Sequence, residues 1–161
     1  MKYSDIYRLY STSQPKDAIH QALREVPVDD SDEQYEDRSP LHLACQYGDA
    51  EGVKILLERD AEPNTKDANG STPIHILGRT SADRADEDKL KEIAVMLLEH
   101  GANIPRSAKN TTALIECVRN RHFKMAEASI NSGARVNSTD LNGENVLFGL
   151  CAASGDIKRD I

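Results

Sequence analysis

Ser39-Pro40-Leu41-His42-Leu43-Ala44 returns as Thr72-Pro73-Ile74-His75-Ile76-Leu77, with 33 residues from Pro40 to Pro73. A hydroxyl residue before a proline, followed by apolar residues and a histidine, is a helix start written twice. Ser or Thr supplies an N-cap oxygen for a free backbone N–H, and proline at the first helical position has no N–H to satisfy. Two weaker copies follow. Thr112-Ala113-Leu114-Ile115-Glu116-Cys117 keeps the cap and loses the proline, and Asn145-Val146-Leu147-Phe148-Gly149-Leu150 keeps a cap with a poorer start. Ala113 to Val146 is again 33 residues, whereas Pro73 to Ala113 is 40, so the second unit carries an insertion.

A second motif follows each of the first three copies. It reads Val53-Lys54-Ile55-Leu56-Leu57-Glu58-Arg59-Asp60-Ala61, then Ile93-Ala94-Val95-Met96-Leu97-Leu98-Glu99-His100-Gly101-Ala102, then Met125-Ala126-Glu127-Ala128-Ser129-Ile130-Asn131-Ser132-Gly133-Ala134. Gly101 and Gly133 stand where a helix ends in a left-handed residue. Asp60 replaces glycine in the first copy, at an expected cost of up to ~1 kcal/mol. Pro40 to Asp60 and Ala113 to Gly133 are 20 residues each, but Pro73 to Gly101 is 28. The insertion therefore lies between the two motifs of the second unit. Two motifs in register predict stacked helix pairs, none of which buries its apolar face alone.

These residues resemble the ankyrin-repeat family, whose unit of roughly 33 residues carries T-P-L-H-x-A and ends in a Leu-Leu-Glu-x-Gly-Ala type of stop. The resemblance covers Asp37 to Ile161, with a degenerate unit before it. It implies an all-α fold, an ankyrin-repeat solenoid of stacked helix-turn-helix units with hairpin-like fingers. The expected organisation is a single domain over 1–161: a degenerate N-terminal capping unit at 1–36, repeat 1 at 37–66, repeat 2 at 67–105, repeat 3 at 106–138 and an incomplete repeat 4 at 139–161.

The capping unit is read from Ile6 and Leu9 in a first helix and from Ile19, Ala22 and Leu23 in a second, opened by Gln14-Pro15. The acidic stretch Val28 to Glu36 is expected to replace a finger. In the insertion near 80–91, Asp86-Glu87-Asp88 favour a helix start through the macrodipole. Leu90, Ile93, Leu97 and Leu98 are then expected to face inward along a lengthened second helix, so the stretch reads as a loop extension with family-specific contact as the rival. The fourth unit stops soon after Gly155-Asp156, which leads to the expectation of a piece of a longer protein.

Composition narrows the function. Aromatics are 4% with no Trp, and the net charge is −7. An acidic domain matches a phosphate backbone poorly, so no nucleic acid is expected as partner. No apolar run reaches the ~18–20 residues of a membrane span, so no membrane partner is expected either. Cys45, Cys117 and Cys151 are odd in number and far apart, which favours small buried residues in a reducing, cytoplasmic compartment, with the nucleus as second choice. His20, His100 and His122 form no ligand spacing with His42 and His75, so no metal is expected. No nucleophile–base pairing or phosphate loop appears, so neither a cofactor nor a catalytic site is expected. The acidic residues Asp83, Asp86, Glu87 and Asp88 interleave with Arg84, Lys89 and Lys91 and read as a solvated helix start. Asn69-Gly70 and Asn142-Gly143 are turn signals.

The ankyrin resemblance implies that His42 and His75 are structural, tying adjacent repeats by hydrogen bonds to backbone. It also implies a monomer that binds another protein through finger tips and the exposed side of the first helices, a concave surface. The finger positions are Asp67, Asn69 and Ser71; Lys109 and Thr111; Asn142 and Glu144. The first-helix positions are Gln46, Tyr47, Arg79, Arg119 and Asn120. Tyr47 and the arginines are the preferred hot spots. The alternative is a targeting or autoinhibitory arm of an enzyme whose catalytic domain lies beyond residue 161.

Overall fold

The structure, a computed structural model, describes residues 1–81, 83–103, 113–140 and 142–154. Among these residues the helices are α1 Tyr3–Ser11, α2 Lys16–Glu25, α3 Pro40–Gln46, α4 Ala50–Leu57, α5 Pro73–Gly78, α6 Glu87–Glu99, α7 Ala113–Arg119, α8 Phe123–Asn131 and α9 Val146–Ser154, with a 3₁₀ turn at Glu33–Tyr35. No strand occurs among them. The odd-numbered helices pack on one another as one layer, and α2, α4, α6 and α8 form the second. One apolar core runs between the layers, from Ile6 and Leu23 through Leu41, Leu56, Leu77 and Ile93 to Leu114 and Met125. Each such side chain contributes roughly 1.5–3 kcal/mol on burial, and the total is a sum over neighbouring pairs.

The helix starts close as reciprocal caps. Ser39 N–H donates to His42 Nδ1 at 3.1 Å, and the Ser39 hydroxyl lies 2.9 Å from the same nitrogen. Nδ1 accepts, so the proton sits on Nε2, which donates to the Ser71 carbonyl at 3.0 Å in the next unit. Thr72 and His75 repeat the cap at 3.3 and 2.9 Å. Histidine thus occupies the place of Glu or Gln in a capping box. Burial pushes the His42 pKa down, which keeps the ring neutral and this tautomer intact. The ends follow the expected chemistry: Gly101 and Gly133 have φ +86° and +91°, and Asp60 is held at +62°.

Gly78 shows which side of an inner helix meets the next unit. A Cβ there would lie 3.2 Å from the Ala113 carbonyl and 3.4 Å from the Cys117 sulfur. Cys45 and Val118 hold the same register position and are buried, as is Cys117 one position earlier. Cys151, expected to be buried, is exposed. It shares the register of Cys45, and no helix among the described residues follows α9 to cover it. Leu147, 68% exposed where Leu41, Ile74 and Leu114 are fully buried, has the same cause. The Thr112 cap and the segment after Ser154 lie outside the described residues.

The insertion lengthens α6 to 13 residues, against 8 in α4 and 9 in α8. Asp86 is its N-cap, accepting from Lys89 N–H at 2.9 Å. Leu90, Ile93, Ala94 and Leu97 form the buried stripe at i, i+3, i+4 and i+7. Leu98, expected inside, is half-buried and packs against the core at the end of that stripe. The segment before α6 is a brace more than a projecting loop. The Thr80 hydroxyl donates to the Cys45 carbonyl at 3.0 Å, and Ala85 is buried against Gly48. Farther along, Glu87 accepts from Phe123 N–H at 2.6 Å, and Asp88 pairs with Lys124 at 2.7 Å.

The first helix pair is fastened in two places. Asp49, a buried carboxylate, accepts from the Tyr10 hydroxyl at 2.8 Å and from Gly52 N–H at 3.2 Å, with His20 Nε2 at 3.0 Å. The acidic loop folds back on α1: Asp30 accepts from Tyr3 N–H at 2.8 Å, and Tyr35 packs on Tyr7 with ring centroids 4.2 Å apart. Its last carbonyl, Glu36, accepts from Ala68 N–H at 2.8 Å, which sets the loop beside the first finger.

Candidate functional site

Gln46, Arg79 and Arg119 occupy one register position at the C-terminal ends of α3, α5 and α7, so stacking sets them in a row. Two finger turns stand beside that row and are built alike. In the first, Asp67 N–H donates to the Ser71 carbonyl at 2.9 Å, and its carboxylate accepts from Asn69 and Ser71 N–H at 2.9 and 2.8 Å. Asp140 repeats this with Glu144 and Asn142, its carboxylate accepting at 2.9 and 2.8 Å. A left-handed residue is needed at each tip, and Gly70 and Gly143 supply it at φ +68° and +76°.

This geometry corrects part of the expected contact set. Asp67 and Ser71 are buried, so they hold the finger in shape instead of presenting it. Tyr47 is half-buried, stacked on Tyr10 at 4.8 Å, with the Arg84 guanidinium 4.5 Å from its ring centre. Gln46, Asn69, Arg79 and Glu144 are partly exposed, and Arg119, Asn120 and Asn142 are exposed. Lys109 and Thr111 lie outside the described residues.

Three arginines link successive units across the face. Arg38 meets Glu36 at 2.5 Å, Asp67 at 3.5 Å and the Gln46 side-chain oxygen at 3.0 Å. Arg79 donates to the Ser71 hydroxyl at 3.2 Å and to Glu116 at 3.1 Å. Arg119 donates to Asp140 at 2.5 Å and to Glu144 at 2.6 Å. Surface pairs with a partly exposed arginine add little stability, about 0–1 kcal/mol each. Their consequence is order: the long side chains are held in place. Burial works to raise the Asp140 pKa, but the hydrogen bonds from Arg119 and from the Glu144 and Asn142 N–H groups outweigh it and hold the carboxyl below its usual range.

Sequence reasoning missed Arg38, Arg84 and Glu116. Arg38 had a legible signal, since it precedes Gln46 by the same 8 residues that separate Ser71 from Arg79. Arg84 had none, because the insertion is outside the repeat register.

Burial pushes the Cys117 thiol up to about 12, and Cys45 higher still, so neither is a thiolate nucleophile near neutral pH. Among the described residues no His, Cys, Asp and Glu side chains gather to hold a metal ion. No helix among them is long and apolar enough to cross a membrane.

Stacked helix pairs, finger turns and a row of ordered polar side chains define a helical repeat solenoid. A family model described as Ankyrin repeats (many copies) matches residues 22–77. The neurogenic locus notch homolog protein 1 of Xenopus tropicalis is 33% identical over 114 residues, covering 71% of this chain and 4% of its own. A transient receptor potential cation channel subfamily A member 1 homolog of Caenorhabditis elegans is 39% identical over 62 residues, covering 38% of this chain and 5% of its own. The human channel subunit of the same name is 34% identical over 85 residues, covering 51% and 7%. The chain thus spans only a small fraction of these relatives, and it belongs to the ankyrin-repeat family.

Proposed function

We propose that this chain binds a partner protein on the face formed by the C-terminal ends of α3, α5 and α7 and the fingers beside them. Ankyrin repeats generally mediate protein–protein interaction. The observation that carries the location is the row of Gln46, Arg79 and Arg119, in which both arginines are held by carboxylates of the following unit. Side chains ordered in advance lose less freedom on binding, which raises affinity without new contact area. Gln46, Asn69, Asn120, Asn142 and Glu144 are the remaining accessible members of the surface. The buried free thiols of Cys45 and Cys117 fit a reducing compartment, the cytoplasm before the nucleus.

The test is affinity capture with mass spectrometry, comparing the wild type with an Arg79→Gln/Arg119→Gln variant and an outer-layer control, Lys54→Gln/Glu127→Gln. The inner-face variant should lose the captured protein while keeping its helical circular dichroism, and the control should retain it. Equal loss in both variants, or in neither, would place binding elsewhere.

A further inference from the structure

Two cavities open side by side on the same face and share Arg38 and Gln46. The first, about 270 Å³, is bordered by Arg38, Arg79, Arg84, Gln46 and Ser81, and no carboxylate borders it among the described residues. The second, about 200 Å³, is walled by Tyr3, Tyr7 and Tyr35. Glu36 also borders the second, but Arg38 holds its carboxylate at 2.5 Å.

The three guanidiniums are not equivalent. Arg38 is neutralised by Glu36 and Asp67, and Arg79 by Glu116. Arg84 has the Gln46 carbonyl at 3.0 Å and the face of Tyr47, and no carboxylate partner among the described residues. A guanidinium carries five N–H donors in a fork that suits a carboxylate. Among the described residues, most of those of Arg84 find no protein acceptor. Tyr3 gives an independent sign in the neighbouring cavity. The residue is 1% exposed, yet among the described residues its hydroxyl has no hydrogen-bond partner. Buried hydroxyls normally have one. Both cavities therefore call for an acceptor, and the first calls for a negative one.

The net charge of −7 repels a polyanion at long range, which argues against nucleic acid. A single carboxylate seated against Arg84 responds mainly to its immediate neighbours, since the wider field is screened over ~8 Å. We infer that the groove made by the two cavities takes an extended segment of the partner protein with one acidic side chain. Its carboxylate sits on Arg84 and Arg79, and an acceptor of the same segment meets the Tyr3 hydroxyl. This rests on the reading of the inner face as the binding surface.

The experiment is an NMR titration of the full chain, labelled at arginine nitrogens, with acetyl-Ala-Ala-Glu-Ala-Ala-amide and its Gln and phosphoserine counterparts. The Glu peptide should shift the Arg84 and Arg79 Nε–H signals saturably, with the Gln peptide about fivefold weaker. Arg84→Gln should weaken the Glu peptide about fivefold, and Tyr3→Phe two- to fivefold, roughly, with unchanged melting. Equal action of the Glu and Gln peptides, or no shift by about 10 mM, overturns the inference. Phosphoserine binding about tenfold or more tighter replaces the carboxylate with a dianion. Wild-type affinity in Tyr3→Phe removes the second cavity from the site. If the titration fails while Arg79→Gln/Arg119→Gln still loses its captured partner, only the acidic ligand falls and the binding face stands.

Discussion

Replacing His42 separates the two tasks that the structure gives this ring. Nδ1 closes the cap of α3 by accepting from Ser39, and Nε2 ties α3 to the next unit through the Ser71 carbonyl. Glutamine at this position retains the capping-box chemistry, because its side-chain oxygen reaches back to the N-cap N–H. It loses the Ser71 bond, and Ser71 is fully buried. The Ser71 carbonyl keeps its bond from Asp67 N–H, so one buried hydrogen bond is lost and His42→Gln should destabilise by about 0.5–1.5 kcal/mol. His42→Ala also opens the cap and leaves a cavity, for a total of about 3–5 kcal/mol. For a chain of this size each kcal/mol moves Tm by roughly 2–4 °C. Urea unfolding read by tyrosine emission is well placed to see it, because all five tyrosines fall between Tyr3 and Tyr47 and there is no Trp. Circular dichroism reads the whole stack in parallel. The pH dependence adds a second signature. Burial holds the folded pKa of His42 below the ordinary histidine value of about 6.5, so the unfolded chain takes up the proton first. The contribution of the neutral ring is full above pH 6.5 and declines as pH falls below it. His42→Gln should flatten that slope. A glutamine variant as stable as wild type, or no gap between glutamine and alanine, would refute the two-task account.

Gly48→Ala should lower Tm sharply, by more than about 2 kcal/mol in equilibrium unfolding, because the new Cβ would sit 2.4 Å from Ala85 Cβ at φ +61°. Asp60→Gly should act in the opposite direction and raise stability by up to ~1 kcal/mol, since Asp60 is held at φ +62°; an unchanged or lower urea midpoint counts against it. Glu87→Ala removes the acceptor of Phe123 N–H at the start of α8 and should cost about 1 kcal/mol, with faster amide exchange in the first turn of that helix. Arg119→Gln removes one of the bonds that hold the Asp140 carboxyl below its usual range, so its pKa should rise, as followed by carboxyl NMR; no change would mean that the finger N–H groups alone set it.

The sequence alone carried the period, the helix starts at Pro40 and Pro73, the left-handed stops at Gly101 and Gly133, and the apolar positions of the core. Those signals are local: a fixed φ, a cap and a 3.6-residue stripe are written within a few neighbouring residues. The ankyrin resemblance marked Gln46, Arg79, Arg119, Asn120, Asn142 and Glu144 as binding positions, and each is at least partly exposed. Tertiary structure decided the rest. Asp67 and Ser71 look like finger-tip polar residues, yet they are buried in the turn that they organise. Tyr47 is stacked on Tyr10, which comes from the first helix pair, and the insertion at 80–91 braces three pairs instead of hanging free. Cys151 repeats the register of Cys45 but is exposed. In each case the deciding group is far away in sequence, as with His42 and Ser71, which are 29 residues apart. A side chain's neighbours across a stack depend on what has packed beside it, and no short stretch of residues contains that information.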